Sequence, residues 1–360
     1  MESVYIHIPF CKNICSYCDF CKMYYNGPAV TQYLNALIKE IEDRYLKEKI
    51  KTIYIGGGTP SALSIKDLTY LFSIIKRLNI TDLEEFSFEC NLEDINEELL
   101  TILKEAGVNR LSIGIQSFNE KKLEFMERHH DFDDALSKFK LMRKMGFNNI
   151  NVDLMYGIPG ETLKDLKKDL DLFLKLKPDH ISTYSLIVED NTKISNQGVL
   201  PIPEELDASM YEYICDKLED KKYLHYEISN FALEGHECKH NLTYWNNEEY
   251  YGFGLGAHGY IQGVRYENTR SINKYINGSY LLNEELLSKE DKMYNELMLG
   301  FRKMQGINLK EFFIKYEINL QEAYDLREVL REEELIVNGE YIYVNPEYIY
   351  VMNEILIKII

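Results

Sequence analysis

The sequence has little that would carry it across a membrane, export it or hold nucleic acid. No long uncharged apolar run could span a bilayer, and the start lacks a basic segment followed by a secretory apolar core. Positive charge is short: 41 Lys and Arg against 59 Asp and Glu leave a net charge of −18, which argues against general nucleic-acid binding. There is a single tryptophan, no internal repeat and no low-complexity tract. Cysteine is unevenly placed: of seven, four precede residue 22, which is not a disulfide framework for a chain of this size. These absences leave a soluble, reducing, cytoplasmic setting, low in oxygen. The apolar fraction of 45% is enough for substantial cores. A length of 360 residues suggests about two domains, or one large barrel with an appendage.

What is present starts with Cys11, Cys15 and Cys18, spaced C-x3-C-x2-C just after a short apolar run. A structural zinc site takes four ligands in a tetrahedron. An iron–sulfur cluster is held by thiolates, one for each protein-bound iron. Three close cysteines therefore suggest a [4Fe-4S] cluster with one iron open to a small molecule. A zinc loop or a group of reduced thiols is the plainer alternative. Cys21 lies close enough in sequence to act as a fourth ligand, whereas Cys90 and Cys215 sit in apolar patterns and read as core thiols.

Residues 1–190 alternate between strand and helix patterns. Strands are expected at 4–8, 51–55, 85–90, 110–115, 149–154 and 180–186. Helices are expected at 30–46, 65–78 with Ser64 as N-cap, 95–106, 119–128, 132–145 and 161–176. Such alternation indicates parallel βαβ units, and in a parallel barrel chemistry gathers at the C-terminal ends of the strands. There stand the cysteines, the run Gly56-Gly57-Gly58-Thr59, Glu89, Gln116 and Asp153. Each has a bland reading as a turn or a helix cap; their shared placement favours a site. No Gly-Lys-Ser/Thr follows the glycines, so a phosphate loop is disfavoured.

Four runs carry a family resemblance: Tyr5-Ile-His-Ile-Pro-Phe-Cys11, Gly56-Gly-Gly-Thr-Pro-Ser61, Gly114-Ile-Gln-Ser-Phe118 and Val152-Asp-Leu-Met-Tyr-Gly-Ile-Pro-Gly160. They are similar to those of the radical S-adenosylmethionine (SAM) proteins. The branch resembled is that of the oxygen-independent coproporphyrinogen dehydrogenases and the HemW heme chaperones. The resemblance implies an α/β fold: a partial (β/α)6 radical SAM barrel with an added α/β segment and a small C-terminal winged-helix-like domain. It also implies roles. Cys11, Cys15 and Cys18 would hold the cluster, whose open iron SAM chelates. Tyr5 would lie near the sulfonium, Gly57, Gly58 and Thr59 with Glu89 near the methionine amino group, Gln116 and Asp153 at the ribose hydroxyls, and Arg128 at the SAM carboxylate. Residue types suit these tasks, since glycine permits close backbone approach and arginine pairs with carboxylate. His129 and His130 flank that arginine and lack the cysteine or acid spacing of a separate metal site. The dehydrogenases place an extra cysteine two residues after the third ligand; here that position is Phe20, with Cys21 one further on.

The second half reads differently. A loop is expected over 188–203 and a helix over 204–219, before His240-Asn241-x-x-Tyr244-Trp245. On its residues alone, a histidine beside aromatics is usually a satisfied structural group. The run is similar to the HNxxYW element of HemW, associated with heme binding, which makes His240 the candidate axial ligand and Cys238 and His258 runners-up. The competing reading is that the run closes the open edge of the barrel. An amphipathic helix over 286–302, another over 322–333 and a hairpin over 335–344 turning at Asn338-Gly339 suggest the winged-helix-like domain. The acidic run 332–334 argues against its binding nucleic acid. The segment Val344-Asn-Pro-Glu-Tyr348 departs from the Leu-Thr-x-x-Gly turn common in the branch. The expected divisions are a barrel at 1–190, an extension at 191–283 and a C-terminal domain at 284–360.

Two functions follow from the resemblance. One is a heme chaperone with a [4Fe-4S] cluster, SAM and heme, passing heme to an acceptor protein, with an electron donor such as flavodoxin or ferredoxin. The other is oxidative decarboxylation of coproporphyrinogen III by a SAM-derived radical. The absent extra cysteine, the short segment before Tyr5 and the HNxxYW run favour the chaperone. No catalytic residue is assigned.

Overall fold

The computed structural model describes residues 2–360. Its main sheet has nine strands. Six are the alternating ones: Ser3–Ile8 (β1), Thr52–Gly57 (β2), Glu85–Asn91 (β3), Arg110–Gln116 (β4), Ile150–Tyr156 (β5) and His180–Ser185 (β6). They pair in parallel in that order, β1 to β2 through to β5 to β6. The fold is thus the α/β partial barrel expected. The helices between them, Gly27–Arg44 (α1), Ile65–Ile75 (α2), Glu97–Glu105 (α3), Glu120–Met126 (α4), Phe132–Lys144 (α5) and Leu163–Leu176 (α6), fall where the apolar periodicity placed them, to within a few residues. Their starts are written in polar side chains. The Asn26 carboxamide accepts from Ala29 N, Ser64 Oγ from Asp67 N, and Thr162 and Asp165 form a reciprocal capping box. Each such cap contributes about 1 kcal/mol.

Parallel strands need both faces covered. On β1, Val4, Ile6 and Ile8 are fully buried and pack outward into the helix layer with Leu34, Leu37 and Ile53. The opposite faces carry polar residues instead: Tyr5 and His7, Tyr54, Ser87 and Glu89, Arg110 and Ser112, Asn151 and Asp153. The barrel interior is therefore hydrophilic.

Three later strands complete the sheet, in a way the alternation did not foretell. Leu224–Glu227 (β7) and Asn230–Ala232 (β8) follow helix Glu204–Asp220 (α7); β8 pairs antiparallel with β6 and with β7. After helix Lys239–Trp245 (α8), Tyr251–Phe253 (β9) pairs parallel with β1 at the other edge. The loop expected at 188–203 contains one short helix, Lys193–Asn196.

Two expectations for the C-terminal part change. Residues 286–302 are not one helix, because Leu286 ends strand Leu281–Leu286 and the Ser288 capping box starts a new helix, Lys289–Gly300. Residues 322–333 are split into Leu320–Ala323 and Arg327–Arg331. The break comes at Tyr324, whose extended backbone (φ −134°, ψ 145°) ends the first turn, and Asp325 binds Arg327 across it at 2.6 Å. The hairpin Leu335–Asn338 to Tyr341–Val344 turns at Gly339 (φ +61°) as read, and Ile307–Asn308 adds a third antiparallel strand.

Candidate functional site

At the C-terminal ends of the strands lies a cavity of about 400 Å³. Cys11, Cys15 and Cys18 line it together with Gly57, Gly58, Thr59, Glu89, Gln116, Arg128 and Asp153. One rim thus gathers all three cysteines and seven of the eight expected SAM residues.

Tyr5 is the eighth, and it stays one layer back. Its hydroxyl bonds His7 Nδ1 at 3.0 Å, and its ring centroid lies 6.2 Å from that of Tyr54. His7 in turn backs the glycine turn. A Cβ at Gly57 (φ +111°) would fall 2.3 Å from the His7 ring, and one at Gly58 2.8 Å from the Pro9 carbonyl carbon and 3.0 Å from Cys11 Sγ. Only glycine fits either place.

Glu89 accepts hydrogen bonds from the Tyr54 hydroxyl (2.8 Å) and Gly57 N (3.0 Å). Burial, with Asp153 adding repulsion, raises its pKa to about 7. Burial also raises Asp153, whose Oδ1 accepts from Asn151 Nδ2 at 2.8 Å. Gln116 takes a left-handed backbone (φ +70°) at a bulge between β4 and β5, and its Oε1 is buried with no partner. Arg128 donates from Nη1 to Gly114 O at 2.7 Å, while its buried Nε has no acceptor. A strained backbone and unmet donors and acceptors in one cavity mark a place built for a ligand.

Among the described residues no three His, Cys, Asp or Glu side chains converge on a single metal ion. A four-iron cluster does not ask for that convergence, since each thiolate binds its own iron. The donor set fits the cluster: three cysteines in the wall of one cavity, with Cys11 Sγ 3.0 Å from where a Cβ of Gly58 would stand. Burial raises the Cys11 thiol and pushes Cys18 up to about 11, so metal binding must displace protons. Cys21 is not part of that wall. Its Cβ and Sγ lie 2.7 and 3.1 Å from where a Cβ of Gly256 would stand, and its carbonyl is bonded by His7 Nε2 at 2.7 Å.

The opposite end of the barrel is closed by α8. His240 is fully buried, and both ring nitrogens are engaged, Nδ1 with Thr52 Oγ1 (2.8 Å) and Nε2 with the Tyr244 hydroxyl (2.7 Å). Burial, with Arg110 nearby, lowers its pKa to about 3. Thr243 Oγ1 meets Ser3 Oγ at 2.9 Å, and Ser3 meets Thr52 at 2.8 Å. Glu85 accepts from the backbone N–H groups of Lys239 (2.9 Å) and His240 (3.2 Å) and from Cys238 Sγ (3.4 Å). Ser3, Thr52 and Glu85 are the first residues of β1, β2 and β3, so α8 plugs the floor. Asn241 alone of the HNxxYW residues reaches the rim cavity; Trp245 keeps a buried Nε1 without a partner.

Arg110, Tyr54, Ser112, Asn151 and Ser182 also line the cavity and were not singled out from the sequence. The two-residue alternation Arg110-Leu-Ser112-Ile-Gly114 and Asn151-Val-Asp153 was the available signal, polar residues facing inward between apolar ones.

Strands ending in thiols, a glycine cradle and buried carboxylates define a radical SAM protein, and the radical SAM superfamily model matches residues 5–173. The fold agrees with that of a solved structure from Escherichia coli titled "Coproporphyrinogen III oxidase (HemN) from Escherichia coli is a Radical SAM enzyme". The TM-score is 0.86 over 99% of this chain and 89% of that one, at 20% identity, a likeness of fold alone. Among curated relatives, "Heme chaperone HemW" of Bacillus subtilis is 44% identical over 355 residues, covering 94% of each chain. That of Lactococcus lactis is 43% identical over 331 residues (90% of this chain, 87% of the relative), and that of Escherichia coli 35% over 321 (86% and 85%). The chain belongs to the HemW family.

Proposed function

We propose that this protein is a heme chaperone that holds a [4Fe-4S] cluster on Cys11, Cys15 and Cys18, binds SAM beside it, and passes heme to an acceptor protein. The observation that carries the cofactor half is the common cavity of the three cysteines, the Gly57–Gly58 turn, Glu89, Gln116, Arg128 and Asp153. The cargo half rests on membership of the HemW family.

The chain's own groups suit the assignment. The Gly57–Thr59 backbone takes the methionine end, and an ammonium beside Glu89 draws that carboxyl into its ionised form. The unmet Nε of Arg128 takes the SAM carboxylate, and the open Oε1 of Gln116 joins Asp153 at the ribose hydroxyls. Tyr5 acts through His7, which it holds against the glycine turn. The cluster, when bound, supplies one-electron chemistry next to SAM. Heme contact is assigned to α8 and its surroundings. For His240 to be the axial ligand, it must release Thr52 or Tyr244.

Anaerobic reconstitution of the wild type and of Cys15→Ala tests this. Expected are a cluster spectrum lost in Cys15→Ala, heme bound by the wild type, and heme transfer to an apo-globin. In the same preparation coproporphyrinogen with SAM and a reductant stays unconverted. Decarboxylation without heme binding overturns the proposal.

A further inference from the structure

A second cavity, of about 280 Å³, opens beside the floor helix and shares no lining residue with the first. Four tyrosines, Tyr244, Tyr250, Tyr260 and Tyr266, line it, with Asn247, Glu248, His258 and Arg265 as the polar groups among them. Tyr244 and Tyr250 meet edge to face at 4.6 Å between centroids, and the Arg265 guanidinium lies 5.7 Å from the Tyr260 ring centre. A row of rings separates this pocket from the SAM cavity: Tyr5 and Tyr54 at 6.2 Å, Tyr54 and His240 at 5.4 Å, His240 and Tyr244 at 5.1 Å.

Its imidazole and guanidinium are free in a way that His240 is not, while the Tyr244 and Tyr266 hydroxyls are bonded to His240 and Gly252. The His258 side chain is 59% exposed, and its Nε2 is 3.8 Å from Glu267 Oε1, beyond hydrogen-bond reach. His240, by contrast, spends both nitrogens inside the fold. Cys238, the other runner-up, is fully buried. Arg265 makes no ion pair among the described residues; its Nη2 reaches only Asn247 Oδ1, at 3.5 Å. An imidazole, an unpaired guanidinium and flat tyrosine walls suit a planar aromatic that carries a metal and a carboxylate.

Resting on the heme-chaperone reading above, we infer that this lateral pocket is the heme seat, with His258 toward the iron, Arg265 toward a propionate and the tyrosine rings against the macrocycle. The volume takes one edge of a porphyrin and leaves the other in solvent, where an acceptor can reach it. A carrier needs that accessibility, and a closed barrel would deny it.

The test is titration of the full chain with iron protoporphyrin IX, followed in the Soret band, for the wild type, His258→Ala and Arg265→Gln. Both pocket residues have partly exposed side chains, and thermal melts of each variant check that the fold persists. His258→Ala should shift the Soret maximum and weaken binding by about tenfold or more. Arg265→Gln should weaken it about tenfold without moving the band, the loss expected for one charge-assisted contact. Metal-free protoporphyrin should feel the loss of Arg265 and ignore that of His258. Wild-type spectra and affinity in both pocket variants overturn the seat but leave the heme reading standing. Failure of the wild type to bind heme overturns both.

Discussion

The two ends of this barrel are built from the same residue types, yet they use their polar groups differently. At the rim, Gln116 Oε1 and Arg128 Nε are buried without partners, Gln116 sits in a left-handed backbone, and the Glu89 carboxyl is raised to about 7. At the floor, His240 uses both ring nitrogens. So does His180, with Asn151 Oδ1 at 2.6 Å and the Tyr226 hydroxyl at 2.8 Å. Glu85 is met by four donors. Trp245 Nε1 and Asn149 Oδ1, just before β5, are the exceptions there, while Arg110 Nε, also without a partner, belongs to a residue of the rim cavity. A buried polar group without a partner costs about 1–3 kcal/mol, so the several that line one cavity at the rim are kept for a ligand to complete. The floor instead spends its polar groups on closing the barrel.

Four measurements would break or sharpen that contrast. The largest effect belongs to the rim: Cys15→Ala should drop iron content to background after reconstitution, while the apo-protein keeps its stability to within about 1 kcal/mol. Retained cluster absorbance would remove the rim assignment. At the floor, Glu85→Ala should destabilise the fold by about 2–4 kcal/mol, because it strips two backbone N–H groups of a buried charged acceptor. Iron loading should stay as in the wild type; chemical denaturation showing a loss below about 0.5 kcal/mol would mean that the plug is not held there.

Next, the two ends should titrate in opposite directions in the apo-protein. Glu89 binds its proton more tightly folded (about 7) than unfolded (4.5), so its contribution to stability declines as pH rises through that interval. His240 binds its proton less tightly folded (about 3) than unfolded (6.5), so its contribution is lost as pH falls from 6.5 toward 3. Glu89→Gln should flatten the first limb, leaving the share owed to Glu227, also raised by burial to about 7. His240→Gln should flatten the second, leaving His180, lowered well below its usual value by burial, and His7 and His225, both lowered by burial to about 4. Unchanged slopes in denaturation midpoints across these windows would refute the assignments. The smallest effect is that of Cys21→Ala: cluster absorbance as in the wild type, and a stability change of about 1 kcal/mol or less. Loss of iron there would bring Cys21 back into the site.

Much of the rim was legible because it follows local rules. Thiol spacing, the glycine run and the last residues of strands all stand in short stretches, and strand–helix periodicity places them at one end. The floor was harder to read. His240 pairs with Thr52 and with a residue one helical turn away, and Ser3 meets Thr243 across the length of the barrel chain. No local pattern announces that a histidine's nitrogens are already taken. Edge strands β7 and β8 were missed for a related reason: they have four and three residues, too few to show a period. The helix over 322–333 was overread because apolar spacing continues across Tyr324, where the backbone does not.

The floor helix also bears on how the chain folds. A seven-residue helix has no stability of its own, and the acceptor for its first N–H groups lies 155 residues upstream of His240. Closing so long a loop must wait until β1 to β3 are assembled. The sole tryptophan of the chain, Trp245, is the last residue of that helix. Its fluorescence during refolding would therefore time the sealing of the barrel alone, with no signal from the end where the cysteines stand.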